Sequence, residues 1–164
     1  MTMTSTEFVY TTFIKSTTQK VWNAITNAEF TKQYWGCELI SDWTKGAKWH
    51  SVRNADGQTN MIGEVIEASP PNRLSYTWHL PDGKEDSDKS RVTFELETVG
   101  DAVKLTVTHD KLEKGSDMAS KISQGWPLVL SSLKSFLETG QALDIWAMKG
   151  ACSAQESSKE KVAR

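Results

Sequence analysis

Residues 116–140 read SDMASKISQGWPLVLSSLKSFLETG and predict one long amphipathic helix. Apolar side chains recur at spacings of three and four, which is typical of a helix with a single buried face. Ser116 can cap the first turn, and Gly140 can end the helix. A helix of about 24 residues spans roughly 36 Å, which is long enough to cross a whole β-sheet. Pro127 lacks a backbone donor, so we expect a kink at that position. The apolar positions are Ala119, Ile122, Trp126, Leu130, Leu133 and Leu137.

The sequence before this helix predicts an antiparallel sheet. From Gly36 to His109 apolar and polar residues alternate, and turn sequences such as Pro81-Asp82-Gly83 interrupt the alternation. Loops of hairpin length favour a meander of neighbouring strands, and the long helix would cover the dry face of that sheet. The six predicted strands are 37–41, 47–53, 59–68, 74–79, 91–98 and 102–109.

One strand and two short helices are predicted ahead of this meander. Residues 8–15 are rich in β-branched and aromatic side chains that alternate between two faces, which indicates a strand. Residues 20–26 and 28–34 have the spacing of short helices with one buried side. The complete order predicts an α+β fold, with an antiparallel sheet of about seven strands around a long C-terminal helix.

Composition argues against several classes of protein. The 164 residues carry 19 basic and 21 acidic side chains, a formal charge of −2, and 38% are hydrophobic, which disfavours both disorder and nucleic-acid binding. No segment approaches the ~20 apolar residues of a membrane helix, so we expect no membrane partner and a cytoplasmic protein. Cys37 and Cys152 lack a metal-ligand spacing, and no phosphate-binding glycine loop is present. We therefore expect neither a metal nor a cofactor.

Candidate catalytic residues are sparse. The chain has three histidines, and no serine lies in a GxSxG sequence. His50 alternates with Trp49, and parity alone leaves open which of the two points inward. His109 shares the parity of Val103, Leu105 and Val107, which would place it on the inner face near the end of the last strand. The alternative is a histidine at a frayed strand end, bonded to a nearby carbonyl. The pattern favours a binding protein over an enzyme with a self-contained catalytic site, and we expect no catalytic residues.

Several segments of the chain resemble one known family. The resemblance is most specific in Pro70-Pro71-Asn72-Arg73-Leu74 and in Gly125-Trp126 of the long helix. Over residues 8–140 the chain is similar to the family homologous to the activator of heat-shock protein 90 ATPase, within the START-like (SRPBCC) helix-grip superfamily. The resemblance implies a curved sheet gripping the long helix, with a cavity between them that holds apolar or polycyclic molecules in related proteins. It also predicts a helix-grip domain over residues 8–140. From composition, residues 141–164 are expected to form a partly disordered C-terminal extension, in which residues 142–148 can extend the helix and pack Ile145 and Trp146 onto the body.

The preferred function is binding of a small apolar or aromatic molecule between the sheet and the long helix. Ring walls suit a flat ligand because offset stacking contributes ~0.5 to 1.5 kcal/mol per ring pair. We predict Tyr76 and Trp78 as one wall, Phe94 and Leu105 as the floor, Ile122, Trp126 and Leu130 as the lid, and Trp49 or His109 as a polar contact. The alternatives are a chaperone-interacting protein without chemistry of its own and a cyclase-like or hydrolase-like enzyme using cavity residues. We expect a monomer or a weak dimer.

Overall fold

A single antiparallel sheet organises the computed structural model, which describes residues 5–81 and 89–148. The sheet has seven strands; from the second to the seventh, each strand pairs with its neighbour in sequence as a meander, and the first strand joins beside the seventh. The predicted α+β helix-grip fold is confirmed. The elements are β1 (Ser5–Ile14), α1 (Thr18–Thr26), α2 (Ala28–Tyr34), β2 (Cys37–Ile40), β3 (Lys48–Arg53), β4 (Thr59–Ser69), β5 (Arg73–Trp78), β6 (Ser90–Val99), β7 (Ala102–Glu113) and α3 (Asp117–Thr139).

The long helix α3 begins and ends where the sequence predicts. The Ser116 side chain accepts a hydrogen bond from the Ala119 amide at 3.1 Å, which satisfies an end donor of the first turn. Gly140 adopts a left-handed conformation with φ of 82°, and its amide bonds to the Phe136 carbonyl at 2.9 Å. The helix continues through Pro127. None of the described helices is long and apolar enough to cross a membrane.

Strand alternation places the core as expected. The inner positions of β5, β6 and β7 are buried, and this face packs against the apolar side of α3, for example where Phe94 meets Trp126 edge to face. The charged residues Glu95 and Glu97 are exposed on the opposite face. The buried inner positions are Leu74, Tyr76, Val92, Phe94, Leu96, Val103, Leu105, Val107 and His109.

Strand β7 extends beyond the expected end at residue 109 to Glu113. Lys111 has a positive φ of 58°, and the pairing with β1 shifts register between Phe8 and Thr6. This irregularity changes the parity, so Leu112 is buried although it does not share the parity of His109. His109 therefore lies well inside the strand rather than at a frayed end.

The chain after α3 folds back along the helix. Ser132 on α3 exchanges two hydrogen bonds with the backbone of Leu143, at 3.1 and 3.2 Å. Residues 145–148 form a single helical turn, in which Ile145 is buried and Trp146 is about half exposed. Residues 149–164 of the expected C-terminal extension lie outside the described residues.

Candidate functional site

His109 is a buried polar residue whose ring bonds to two other elements of the fold. Its Nε2 lies 2.7 Å from the Ser90 hydroxyl on β6, and its Nδ1 accepts a hydrogen bond from the Trp126 indole of α3 at 3.0 Å. The side chain is completely buried. A strand of the sheet and the covering helix are thus joined through one imidazole.

The hydrogen bonds around His109 fix its tautomer. The Trp126 indole can only donate, so Nδ1 must be the acceptor. The Ser90 hydroxyl donates to the Trp78 carbonyl at 2.8 Å, so it accepts the Nε2 proton. The three hydrogen bonds therefore run in one direction: Trp126 donates to His109, His109 donates to Ser90, and Ser90 donates to the Trp78 carbonyl.

Burial keeps this histidine neutral at physiological pH. Desolvation lowers the pKa of His109 from its ordinary value of 6.5 to about 4, and the nearby Asp110 carboxylate only partly opposes the shift. The lone pair of Nδ1 is already occupied by the Trp126 N–H. His109 therefore has no unoccupied ring acceptor with which to take a proton from a bound molecule, and the geometry makes it a positioning group for Trp126.

A continuous aromatic cluster surrounds this network. Trp78 lies 5.9 Å from Trp126, 6.1 Å from Trp35 in a stacked arrangement, and 5.4 Å from Trp49, measured between ring centroids. Tyr76 meets Trp49 edge to face at 4.9 Å. The rings come from the sheet, from α3 and, for Trp35, from the residue directly after α2, which gives the interior a wall of aromatic surface.

A cavity of about 450 Å³ opens beside the cluster, between the middle of α3 and strands β2, β3 and β4. Its size falls within the ~300 to 1,000 Å³ of pockets that bind small molecules. The cavity is lined by the apolar residues Trp35, Leu39, Met61, Trp78, Leu80, Ile122, Trp126, Val129 and Trp146, together with Cys37, Ser51, Arg53, Asn60, Lys121 and Gly125.

Polar atoms along this wall lack hydrogen-bond partners. The indole nitrogen of Trp78 and Nε of Arg53 are buried and unpartnered within the described part of the chain. The Ser51 hydroxyl donates to the Asn60 side-chain oxygen. The Trp43 indole nitrogen and the Tyr76 hydroxyl are also unpartnered among the described residues but do not line the cavity. Since buried donors are nearly always satisfied by protein or water, the Trp78 and Arg53 donors are available to an acceptor in the cavity.

The segment after α3 supplies part of the cavity wall. The Trp146 indole packs over Gly36, where a Cβ atom would overlap the ring, and Gly36 has a positive φ of 84°. Glycine is the residue that tolerates both conditions. The backbone at the start of β2 therefore makes room for an aromatic ring from residues 145–148.

The predicted site residues separate into two groups. Trp78, Ile122 and Trp126 line the cavity. Tyr76, Phe94, Leu105, His109 and Leu130 lie in the packed core. Trp49 is also buried, and it borders a separate groove along β3 and β4. Contact between these residues and a ligand stays a prediction.

Sequence reasoning missed the wall formed by Trp35, Leu39, Ser51, Arg53 and Met61. A signal for two of them was present, because Ser51 and Arg53 share the parity of Trp49 on β3. The alternation left open whether Trp49 or His50 points inward, and the structure buries Trp49. That one assignment would have placed Arg53 on the inner face.

Comparisons with known proteins agree with this architecture. The protein-family model described as Activator of Hsp90 ATPase homolog 1-like protein matches residues 15–138. No curated protein matches the sequence significantly.

Several solved structures share the fold. The Aha1 dimer from Colwellia psychrerythraea is 21% identical, with a TM-score of 0.72 over 84% of this chain and 99% of that chain. A protein from Cytophaga hutchinsonii is 26% identical, with a TM-score of 0.67 over 82% and 95% of the two chains. An HSP90 activator from Plasmodium falciparum is 24% identical, with a TM-score of 0.66 over 80% and 95%.

Proposed function

The chain belongs to the family of Activator of Hsp90 ATPase homolog 1-like proteins, and from the cavity beside its long helix we propose that it binds a small apolar or aromatic molecule. The observation that carries this proposal is the cavity of about 450 Å³, walled by Trp35, Trp78, Trp126 and Trp146. A space with this lining favours flat apolar molecules, because burying their surface and stacking against rings both lower the free energy.

Gly125 offers a direct test of the cavity. It lines the cavity on α3, and a Cβ atom added there would meet nothing within 4 Å. The added side chain of Gly125→Leu should therefore enter the cavity with no overlap at Cβ, and removing a glycine from a helix interior stabilises the helix by about 1 kcal/mol. We expect this variant to lose binding of the neutral fluorescent probe N-phenyl-1-naphthylamine by at least tenfold, measured by fluorescence titration, while its thermal stability is equal or higher.

The matched control is Gln124→Leu, at an exposed position of the same helix turn that does not line the cavity. It should leave probe affinity unchanged. Equal probe binding by the wild type and Gly125→Leu would contradict the proposal, as would a wild-type protein that does not bind the probe.

A second candidate function is contact with a chaperone of the heat-shock protein 90 class. The family description and the activator from Plasmodium falciparum among the similar structures favour it. A chaperone would contact the protein surface, so Gly125→Leu should leave this function intact while abolishing probe binding. We expect the chaperone's ATPase rate to rise equally with the wild type and with this variant, and an unchanged rate at high micromolar protein would exclude this candidate.

A further inference from the structure

Resting on the proposed function, we propose that the molecule bound in the cavity is an apolar or aromatic acid whose carboxylate is held by the guanidinium of Arg53. The cavity has one apolar, ring-lined side and one polar end near Ser51, Arg53 and Asn60. Such an arrangement fits a ligand with an apolar body and a single polar group.

The charge of the lining favours an anion. Arg53 and Lys121 line the cavity, and no carboxylate does so among the described residues. Lys121 lies on the exposed side of α3 near the opening and has no ion pair in the described part of the chain. Asp56, which pairs with Arg53, does not line the cavity, so the described lining carries positive charge and no negative charge. Such a lining attracts acidic ligands and disfavours cationic ones.

Arg53 differs from the other two described arginines in its bonding. Nε of Arg73 donates to Glu67 at 2.9 Å, and Nε of Arg91 donates to Asp110 at 2.9 Å. Nε of Arg53 is buried and has no acceptor within the described part of the chain. Leaving a charged donor unsatisfied is costly, and a carboxylate is the acceptor that a guanidinium binds best.

Within residues 5–81 and 89–148, Arg53 forms one ion pair, and that pair leaves this donor available. Its Nη2 lies 3.0 Å from the Asp56 carboxylate, and both side chains of the pair are about two-fifths exposed. Exposed ion pairs contribute little free energy because water screens them. Asp56 therefore anchors one arm of the guanidinium at the surface, while Nε remains for a ligand on the inner side.

The test compares two probes with the same ring system. Isothermal titration calorimetry at pH 7.5 and low salt would measure 1-naphthaleneacetate and its neutral amide. We expect the acid to bind at least tenfold more tightly, because a hydrogen bond to a charged partner adds roughly this factor. Arg53→Gln should reduce acid affinity to that of the amide and leave amide affinity unchanged. Arg91→Gln, which removes an arginine paired with Asp110 outside the cavity lining, should change neither.

A second variant tests the same contact in the opposite direction and does not remove Arg53. Asp56→Asn removes the competing carboxylate, so it should raise acid affinity several-fold with no effect on the amide. Equal affinities for acid and amide in the wild type, or an acid preference that persists in Arg53→Gln, would overturn the acid assignment. If N-phenyl-1-naphthylamine still binds to the wild type and not to Gly125→Leu, the proposed binding of an apolar molecule stands even though the acid assignment is lost.

Discussion

Gly63→Ala should lower the free energy of unfolding by about 3 kcal/mol, because both overpacking and a broken buried hydrogen bond act at this position. A Cβ atom on Gly63 would overlap the Thr77 carbonyl and the Trp49 indole nitrogen. These two groups form a hydrogen bond of 2.7 Å that crosses β4 directly over Gly63. Backbone atoms cannot move aside as a flexible side chain can, so the bond and the local pairing of β4 with β5 must give way. Urea denaturation monitored by circular dichroism measures the loss.

Gly125→Ala is the matched control for this substitution. It makes the same chemical change at a glycine whose added Cβ meets nothing within 4 Å, and neither position has a positive φ. Since alanine favours a helix interior over glycine, the control should gain up to about 1 kcal/mol. If the unfolding free energy of Gly63→Ala lies within 0.5 kcal/mol of the wild-type value, the hydrogen bond between the Trp49 indole and the Thr77 carbonyl does not require glycine at position 63.

Acidification should destabilise the protein by about 3 kcal/mol between pH 6.5 and 4 through His109 alone. The pKa of this residue is about 4 in the folded state, because burial disfavours the imidazolium, and 6.5 is its ordinary value. Above pH 6.5 both states are neutral and the contribution is complete. As the pH falls through this window the unfolded state binds a proton that the folded state does not, so stability falls, and it levels off below the folded pKa.

His109→Gln supplies the comparison for the acid effect. Glutamine can still donate to Ser90, but it does not titrate, so the difference in unfolding free energy between the two proteins should narrow as the pH falls from 6.5 to 4. Urea titrations at pH 7, 5.5 and 4 measure it. Parallel pH profiles for the two proteins would mean that His109 titrates equally in the folded and unfolded states.

The fold was predictable because its strands and helix carry strong local patterns. Alternation from Leu74 to His109 identified the buried face of three strands, and Ser116 and Gly140 marked both ends of α3. The end of β7 was not predictable in this way. Positive φ at Lys111 shifts the parity, and a lysine gives no sequence signal for that conformation.

The candidate site was less predictable than the fold. The alternation along a strand predicts which face of the sheet a residue occupies. It does not predict whether α3 packs directly on that part of the face or leaves a cavity there. Phe94 and Leu105 have the correct parity, but other core side chains enclose them completely. The cavity opens nearer the β2 edge of the sheet, beside Arg53. Trp146 reaches the cavity through a chain reversal after Gly140, which no local pattern encodes.

The aromatic cluster also determines how the protein will appear to optical spectroscopy. Five of the seven tryptophans form one chain of neighbours with ring centroids 5.3 to 6.5 Å apart: Trp35, Trp43, Trp49, Trp78 and Trp126. Transition dipoles this close exchange excitation faster than they emit, so the absorbed energy is shared among the rings and leaves from the lowest-energy one. Intrinsic emission is therefore a collective property of the interior. A quencher that contacts only Trp35 at the cavity wall would lower the fluorescence intensity of all five tryptophans.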